Sequence, residues 1–449
     1  MQQIFVIGQC TLHWGRMEFG NIGNYYIIEP FFRELHRVFP LAVIKTTFQM
    51  TDTFQENEHI QSVPMEEYYA WTDSDLSQAY KEFSIASIYD ETGGLIDTTP
   101  FIEEVLNSDL VIDYSGDIWG ANADLVGKNR FLIGLLKDRV VQLLKRPIAM
   151  IAGSPGPFNT DSLLPFAQEV YNNFDLVTNR ESISVEVLRS YGFKGKNIED
   201  CYNLACPAFM FEPASQEEVH KHIQNELFFQ QSNKVGFVIC GWNLLKGPFS
   251  RTDWTDDEFA QYVSLIQHLV IKHGTQIYLM SHANGFTPPQ KEFFAGAEKH
   301  LDLFHGRDYP LVERLYNILR QTSVASSVHI LTGVYSPAIT KGIISNFDMM
   351  ISGRVHAAVA GLSQNVPTMI IDYGHEPKAH KLKGFAQVAG VADYVVDPAN
   401  TQNMIEVADR CWENRTSIHT FLTQRNIEIR KLAKQNFDLL KSLITDSDA

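Results

Sequence analysis

The stretch SGRVHAAVAGL, residues 352–362, sets an arginine and a histidine two positions apart at the head of an alanine-rich run. Ser352 and Gly353 are entry residues for a helix, and Ala357 to Leu362 is small and apolar, suited to close burial. Arg354 and His356 suit neither role. A guanidinium can grip a carboxylate or phosphate through its planar fork, and an imidazole can move protons near neutral pH. Side chains two apart on a regular helix point about 200° apart. Both therefore reach one ligand only if Arg354 stands in the entry turn and His356 in the first helical turn. An isolated R-x-H reads as a capping arginine and a satisfied histidine. The next loop, YGHEPKAHK, argues otherwise, because it carries His375, Lys378, His380 and Lys381. If the strands before these two loops are parallel, the cations converge beside a helix N-terminus, itself an anion site. A phosphate or carboxylate ligand follows.

Other candidates stand at similar positions. Arg180 lies in TNRE (178–181), where a strand ends and a capping-box pattern opens a helix. GNIGN (20–24) opens the first helix and offers the backbone N–H groups and amides of Asn21, Gly23 and Asn24. Asp117, in YSGD (114–117), could hold sugar hydroxyls or simply serve a turn, and the residues leave both open. His282 follows a strand and lines a cleft or caps a turn. No HExxH, GxSxG or Walker loop is present, and the five cysteines include no CxxC. No metal ligand set emerges, so metal-independent chemistry without a cofactor is expected.

The elements that must carry these residues alternate. Strands are predicted at 4–8, 41–48, 109–114, 147–152 and 175–178, with helices at 25–39, 131–146 and 182–191 between them. The alternation lapses through 201–213 and resumes with strands at 235–240, 276–280, 329–332, 347–351 and 368–372. A mostly helical segment, 402–443, ends the chain. This is an α/β pattern of two Rossmann-like domains. The N-terminal domain is expected over 1–213, with an acidic insertion at about 51–100, and the C-terminal domain over 214–449, with the terminal helices. In such sheets ligands sit beyond the carboxyl ends of the strands.

The bulk numbers narrow the partners. At 449 residues the chain exceeds one ordinary core. Its net charge of −16 excludes a nucleic-acid protein, which needs a basic surface. Residues 51–100 hold eleven acids and one base, Lys81. Scattered cysteines and an N-terminus without a basic leader fit a reducing cytosol, and no run approaches the ~20 apolar residues of a membrane span. A peripheral place at the inner face of a membrane stays compatible.

Together, GNIGN, NRE (179–181), LMSHANG (279–285), LTGVYSP (331–337) and the block from FDMMISGRVHAAVAGLSQNVPTMIIDY through PKAHK resemble the polysaccharide pyruvyl transferase family. The chain departs from the family pattern in its first part. Asn24 stands where an aspartate is usual, YSGD replaces a glycine triplet, and N-R-E replaces S-R-E. The resemblance implies a GT-B-like arrangement with the active site in the interdomain cleft, the acceptor on the N-terminal side and the donor on the C-terminal side. It implies phosphoenolpyruvate as donor and a cyclic pyruvate ketal on a sugar or lipid-linked oligosaccharide as product. Arg354, His356 and Arg180 carry over as catalytic residues. Lys378, His282, His375, Asn21, Gly23, Asn24 and Asp117 are expected to bind substrate. Two other readings share the residues: a GT-B glycosyltransferase using a nucleotide sugar, and a non-catalytic carbohydrate-binding or assembly protein.

Overall fold

A computed structural model describes residues 2–9, 16–158, 162–223, 226–286, 301–375 and 380–445. The chain groups into two compact units. One comprises Met1–Trp14, Phe31–Cys206 and Lys431–Ala449, the other Gly15–Pro30 and Pro207–Arg430. GNIGN, expected in the N-terminal domain, therefore belongs with the second unit.

The first unit is built on β1 (Gln3–Ile7), β2 (Val43–Thr46), β3 (Ile60–Ser62), β4 (Leu110–Asp113), β5 (Ile148–Gly153), β6 (Leu176–Asn179) and β7 (Tyr202–Asn203). They pair in parallel in the order β3-β2-β1-β4-β5-β6-β7. Every residue of β4, β5 and β6 is buried, as expected of apolar runs covered on both faces. The acidic segment is part of this architecture. It contributes β3 at the sheet edge and the helix Asp75–Thr92, which packs along the helix Arg130–Leu143. Between those helices Glu82 and Lys137 form a buried ion pair at 2.5 Å, with Thr99 donating to the same carboxylate.

The second unit holds β8 (Lys234–Val238), β9 (Gln276–Leu279), a two-stranded antiparallel ribbon of β10 (Gly285–Phe286) and β11 (Leu301–Asp302), then β12 (Val328–Ile330), β13 (Met349–Ser352), β14 (Thr368–Ile371) and β15 (Val395–Val396). Its main sheet is parallel in the order β12-β9-β8-β13-β14-β15. In each sheet the chain starts at the centre, winds outward on one side, then crosses back to the other. The reversal falls between β1 and β4 in the first sheet and between β8 and β13 in the second. At such switch points neighbouring loops diverge and leave a crevice for a ligand.

Most predicted strands and helices lie within a few residues of the observed ones. The capping box at TNRE does not form. Thr178 is in β6 and donates to Asn436, while the helix Ile183–Ser190 starts later, its Ser184 N–H capped by Glu181.

Candidate active site

β13 lies between β8 and β14 in parallel register, with Ser352 level with Val238 and Ile370. The Ser352–Arg354 turn therefore leaves the carboxyl edge at the switch point. Arg354 has extended backbone (φ −108°, ψ 133°) and caps the helix Val355–Ser363, placing His356 in its first turn. This is the arrangement the spacing demanded. The rest of the helix is buried, and Arg354 and His356 are the two partly exposed residues at its head.

The turn is pinned from behind. Asn243, fully buried after β8, accepts the Cys240 N–H at 2.8 Å and donates to the carbonyls of Gly353, Ile371 and Asp372, each at 3.2 Å. A Cβ on Gly353 would fall on the Asn243 amide, so only glycine admits this close approach. Asn243 thus ties three loops of the carboxyl edge into one rigid piece.

Arg354 is held by a carboxylate that the sequence reading did not single out. Asp308, wholly buried, accepts Arg354 Nε at 2.6 Å and Nη2 at 2.5 Å, and accepts the His282 N–H at 3.2 Å. The fork leaves Nη1 outside it. Burial opposes the Arg354 charge, but Asp308 reverses that and raises the guanidinium pKa, so the group stays cationic. Asp308 was hidden because an aspartate before Tyr309-Pro310 reads as an ordinary helix cap. Its side chain makes no cap hydrogen bond here.

His356 meets a second helix start. The helix Ile22–Val38 opens with Asn21, whose side chain accepts the Gly23 N–H at 3.1 Å. A Cβ on Gly23 would come within 2.5 Å of His356 Cβ and 2.8 Å of its Nδ1. The N-termini of two helices therefore adjoin one imidazole, and both favour negative charge there. Asn21 also bridges to Ala283, joining GNIGN to the LMSHANG loop. Asn24 turns toward the Met17 thioether at 3.7 Å.

His282 is fully buried, edge-on to Tyr26 with ring centroids 5.4 Å apart. Burial, and then the Arg354 charge, push its pKa down to about 3, so it is neutral at physiological pH. Neither ring nitrogen of His282 nor the Tyr26 hydroxyl has a hydrogen-bond partner among the described residues. Each such group costs about 1–3 kcal/mol unless water or a ligand meets it.

The remaining candidates divide. His375 contacts the Gly241 carbonyl at 3.1 Å and stacks on Trp242, which also stacks on Tyr373 and Phe249. It belongs to the scaffold beside the turn. Lys378 lies outside the described residues. Lys381 opens the helix Lys381–Ala389. The Cys240 thiol, pushed up to about 11 by burial, is drawn back by Arg354 and by Lys381, so both cations act at one spot.

In the first unit Arg180 directly follows β6 and is buried. Its Nε donates to Ser154 Oγ at 2.7 Å, and its Nη2 lies 3.6 Å from Asp117 Oδ1. Asp117 leaves the carboxyl edge after β4, so the structure brings these two candidates together. Behind them, Asp113 and Asp138 are buried side by side. Burial pushes Asp113 up to about 6 and Asp138 well above the usual carboxylate range, further raised by Asp113.

Two parallel Rossmann-like sheets with these switch points are the elements of the GT-B fold, and solved structures agree. The chain superposes on Anabaena Alr3699/HepE in complex with UDP and glucose with a TM-score of 0.55 at 11% identity, covering 100% of both chains. It superposes on a UDP-GlcNAc 2-epimerase from Neisseria meningitidis with a TM-score of 0.55 at 14% identity, covering 99% and 100%. The polysaccharide pyruvyl transferase family matches residues 21–375, and the chain belongs to that family. It is 21% identical over 348 residues to the amylovoran biosynthesis protein AmsJ of Erwinia amylovora, covering 76% of this chain and 75% of the relative.

Proposed function

We propose that the protein transfers the pyruvyl group of phosphoenolpyruvate onto two hydroxyls of a sugar, forming a cyclic ketal and releasing phosphate, during polysaccharide assembly. The observation that carries this reading is the head of the helix Val355–Ser363. There an arginine forked by a buried carboxylate stands beside a histidine set against two helix N-termini.

The donor is a small polyanion, so it suits fixed N–H dipoles and a pre-oriented guanidinium. Arg354 presents Nη1 to a donor carboxylate or phosphate, and Lys381, with Lys378, adds charge. His356 delivers a proton to the enol C3, which leaves C2 electrophilic. A sugar hydroxyl adds to C2 and returns its proton to His356. The C2–O bond to phosphate then breaks with its electron pair leaving on phosphate, and the second hydroxyl closes the ketal, its proton passing to the departing phosphate. No step requires a metal or a redox cofactor. His282, neutral and buried, serves as a hydrogen-bonding wall. Arg180 and Asp117 supply an anion contact and a hydroxyl acceptor in the first unit. The acceptor is a sugar or lipid-linked oligosaccharide, met in the cytoplasm or at the inner membrane face. No helix among the described residues is long and apolar enough to cross a membrane. The amylovoran-biosynthesis name of the relative supports the polysaccharide setting.

The experiment is phosphate release from phosphoenolpyruvate across a panel of sugars and lipid-linked oligosaccharides, with nucleotide sugars as parallel donors. Acceptor-dependent phosphate release with a pyruvylated product is expected. Transfer from a nucleotide sugar in place of it would overturn the reading.

A further inference from the structure

Outside the active site, two histidines and an aspartate of the second unit meet in a way that no local motif announces. His268 and His273 belong to the helix Ala260–His273, and Asp409 to the helix Thr401–Glu413 packed against it. His268 Nε2 lies 2.8 Å from Asp409 Oδ1 and 3.0 Å from Oδ2, and His273 Nε2 lies 2.7 Å from the same Oδ1. One donor atom from each residue lies within 4.8 Å of the other two. The side chains are 29%, 10% and 16% exposed, so the group is sheltered yet open to solvent on one side.

We infer that His268, His273 and Asp409 form a binding site for a divalent transition-metal ion of the zinc type. Without an ion both Nε2–H groups can donate to this oxygen, since a carboxylate oxygen accepts two hydrogen bonds. With both Nε2 atoms unprotonated, the same three atoms become a ligand face of two nitrogens and one carboxylate oxygen, with a fourth position for water. Zinc takes such donors at about 2.0–2.2 Å, which sets tetrahedral donors roughly 3.3 Å apart. The rings need withdraw from the carboxylate by only about half an ångström to admit the ion.

Lys272 is the obvious objection, because its Nζ sits 2.7 Å from Asp409 Oδ2. It also lies 3.3 Å from Glu413 Oε1 and is 44% exposed, so it can remain paired with Glu413 when an ion takes Asp409. The ion would clip two helices that are more than 120 residues apart in the chain. His273 ends its helix just before β9 begins at Gln276, so the site faces the amino edge of the sheet. Arg354 leaves the opposite, carboxyl edge. The ion would therefore hold the unit together and take no part in transfer.

The test uses the full-length protein, dialysed against chelator and titrated with Zn²⁺ alone by calorimetry. Saturable binding of one ion per chain at this site is expected, with a rise in Tm of about 2–4 °C. His268→Ala and Asp409→Asn should each weaken binding at least about tenfold. Lys272→Met leaves all three ligands and removes the competing ammonium, so it should bind at least as tightly as the parent. Because that variant keeps the ligand set, it decides the matter even if the others fold poorly. Trp412, its ring 6.1 Å from that of His273, reports occupancy by fluorescence. Absence of saturable binding in both the parent and Lys272→Met overturns the site. So does undiminished affinity in folded Asp409→Asn.

Discussion

Two arginines follow strands at the carboxyl edges of the two sheets, and their surroundings differ in kind. Arg354 stands at the switch point between β8 and β13 and is forked by Asp308, a carboxylate with no exposure. Arg180 follows β6, two strands beyond the first sheet's switch point. It faces Asp117 at 3.6 Å, and that carboxylate is 31% exposed. The first arginine is oriented before any ligand arrives, at the place where parallel sheets open. The second is a buried cation with a looser, wetter partner. A two-point fork to an unexposed carboxylate fixes a guanidinium's direction more firmly than one partly solvated contact at 3.6 Å.

The sharpest way to break this contrast is at the helix head. His356→Gln should turn over about 10²–10⁴-fold more slowly while binding phosphoenolpyruvate nearly as the parent does. A stable variant with near-parental turnover would show that the pre-organised edge does not carry the proton transfer.

The ion pairs come next. Asp308→Asn leaves a largely buried guanidinium without its counter-charge and should cost about 3–5 kcal/mol of stability. Asp117→Asn removes a counter-charge that is 31% exposed and 3.6 Å from its arginine, so it should cost less than Asp308→Asn does. Urea unfolding of the two variants beside the parent measures both, and equal losses would erase the distinction.

Donor affinity sharpens it further. Arg354→Lys keeps the charge and loses the fork, and should weaken phosphoenolpyruvate binding about 10–100-fold. Arg180→Lys should weaken it about 2–10-fold, because fewer charge-assisted contacts are lost. A larger effect at Arg180 would move the anchor of the donor to the first unit.

The smallest expected effect concerns His282. Its folded pKa of about 3 lies below the unfolded value near 6.5. As pH falls below 6.5 the unfolded chain takes up a proton that the folded state refuses, so stability falls, and keeps falling toward pH 3. Between pH 7 and 5.5 this amounts to about 1 kcal/mol. His282→Phe should remove that portion of the pH dependence. An unchanged difference between the two pH values would mean that His282 titrates normally and is not locked beside Arg354.

Much of this was legible in the residues. Arg354 and His356 were placed correctly by spacing alone, because a helix entry turn and a first turn are local geometry. The strands around them are apolar runs of fitting length, and glycines mark the close approaches. Asp308 was not legible, since its sequence neighbours describe a helix cap and its partner lies 46 residues away. The acidic segment looked like an insertion because its charges dominate its composition. Its apolar positions are few but well spaced, enough to seat the helix Asp75–Thr92 and the strand Ile60–Ser62.

By itself, then, the sequence determined the class of fold, the family, and the pairing of an arginine with a histidine at one helix head. Those properties rest on periodicity and short-range spacing, which a chain carries without folding. Tertiary structure alone decided which carboxylate orients Arg354, and that GNIGN packs with the second unit so that Gly23 meets His356. It also decided that His375 stacks on Trp242 beside the site, and that His268, His273 and Asp409 share a corner. Each of these joins residues far apart in the chain, and only the packing of the sheet and its helices determines which of them meet.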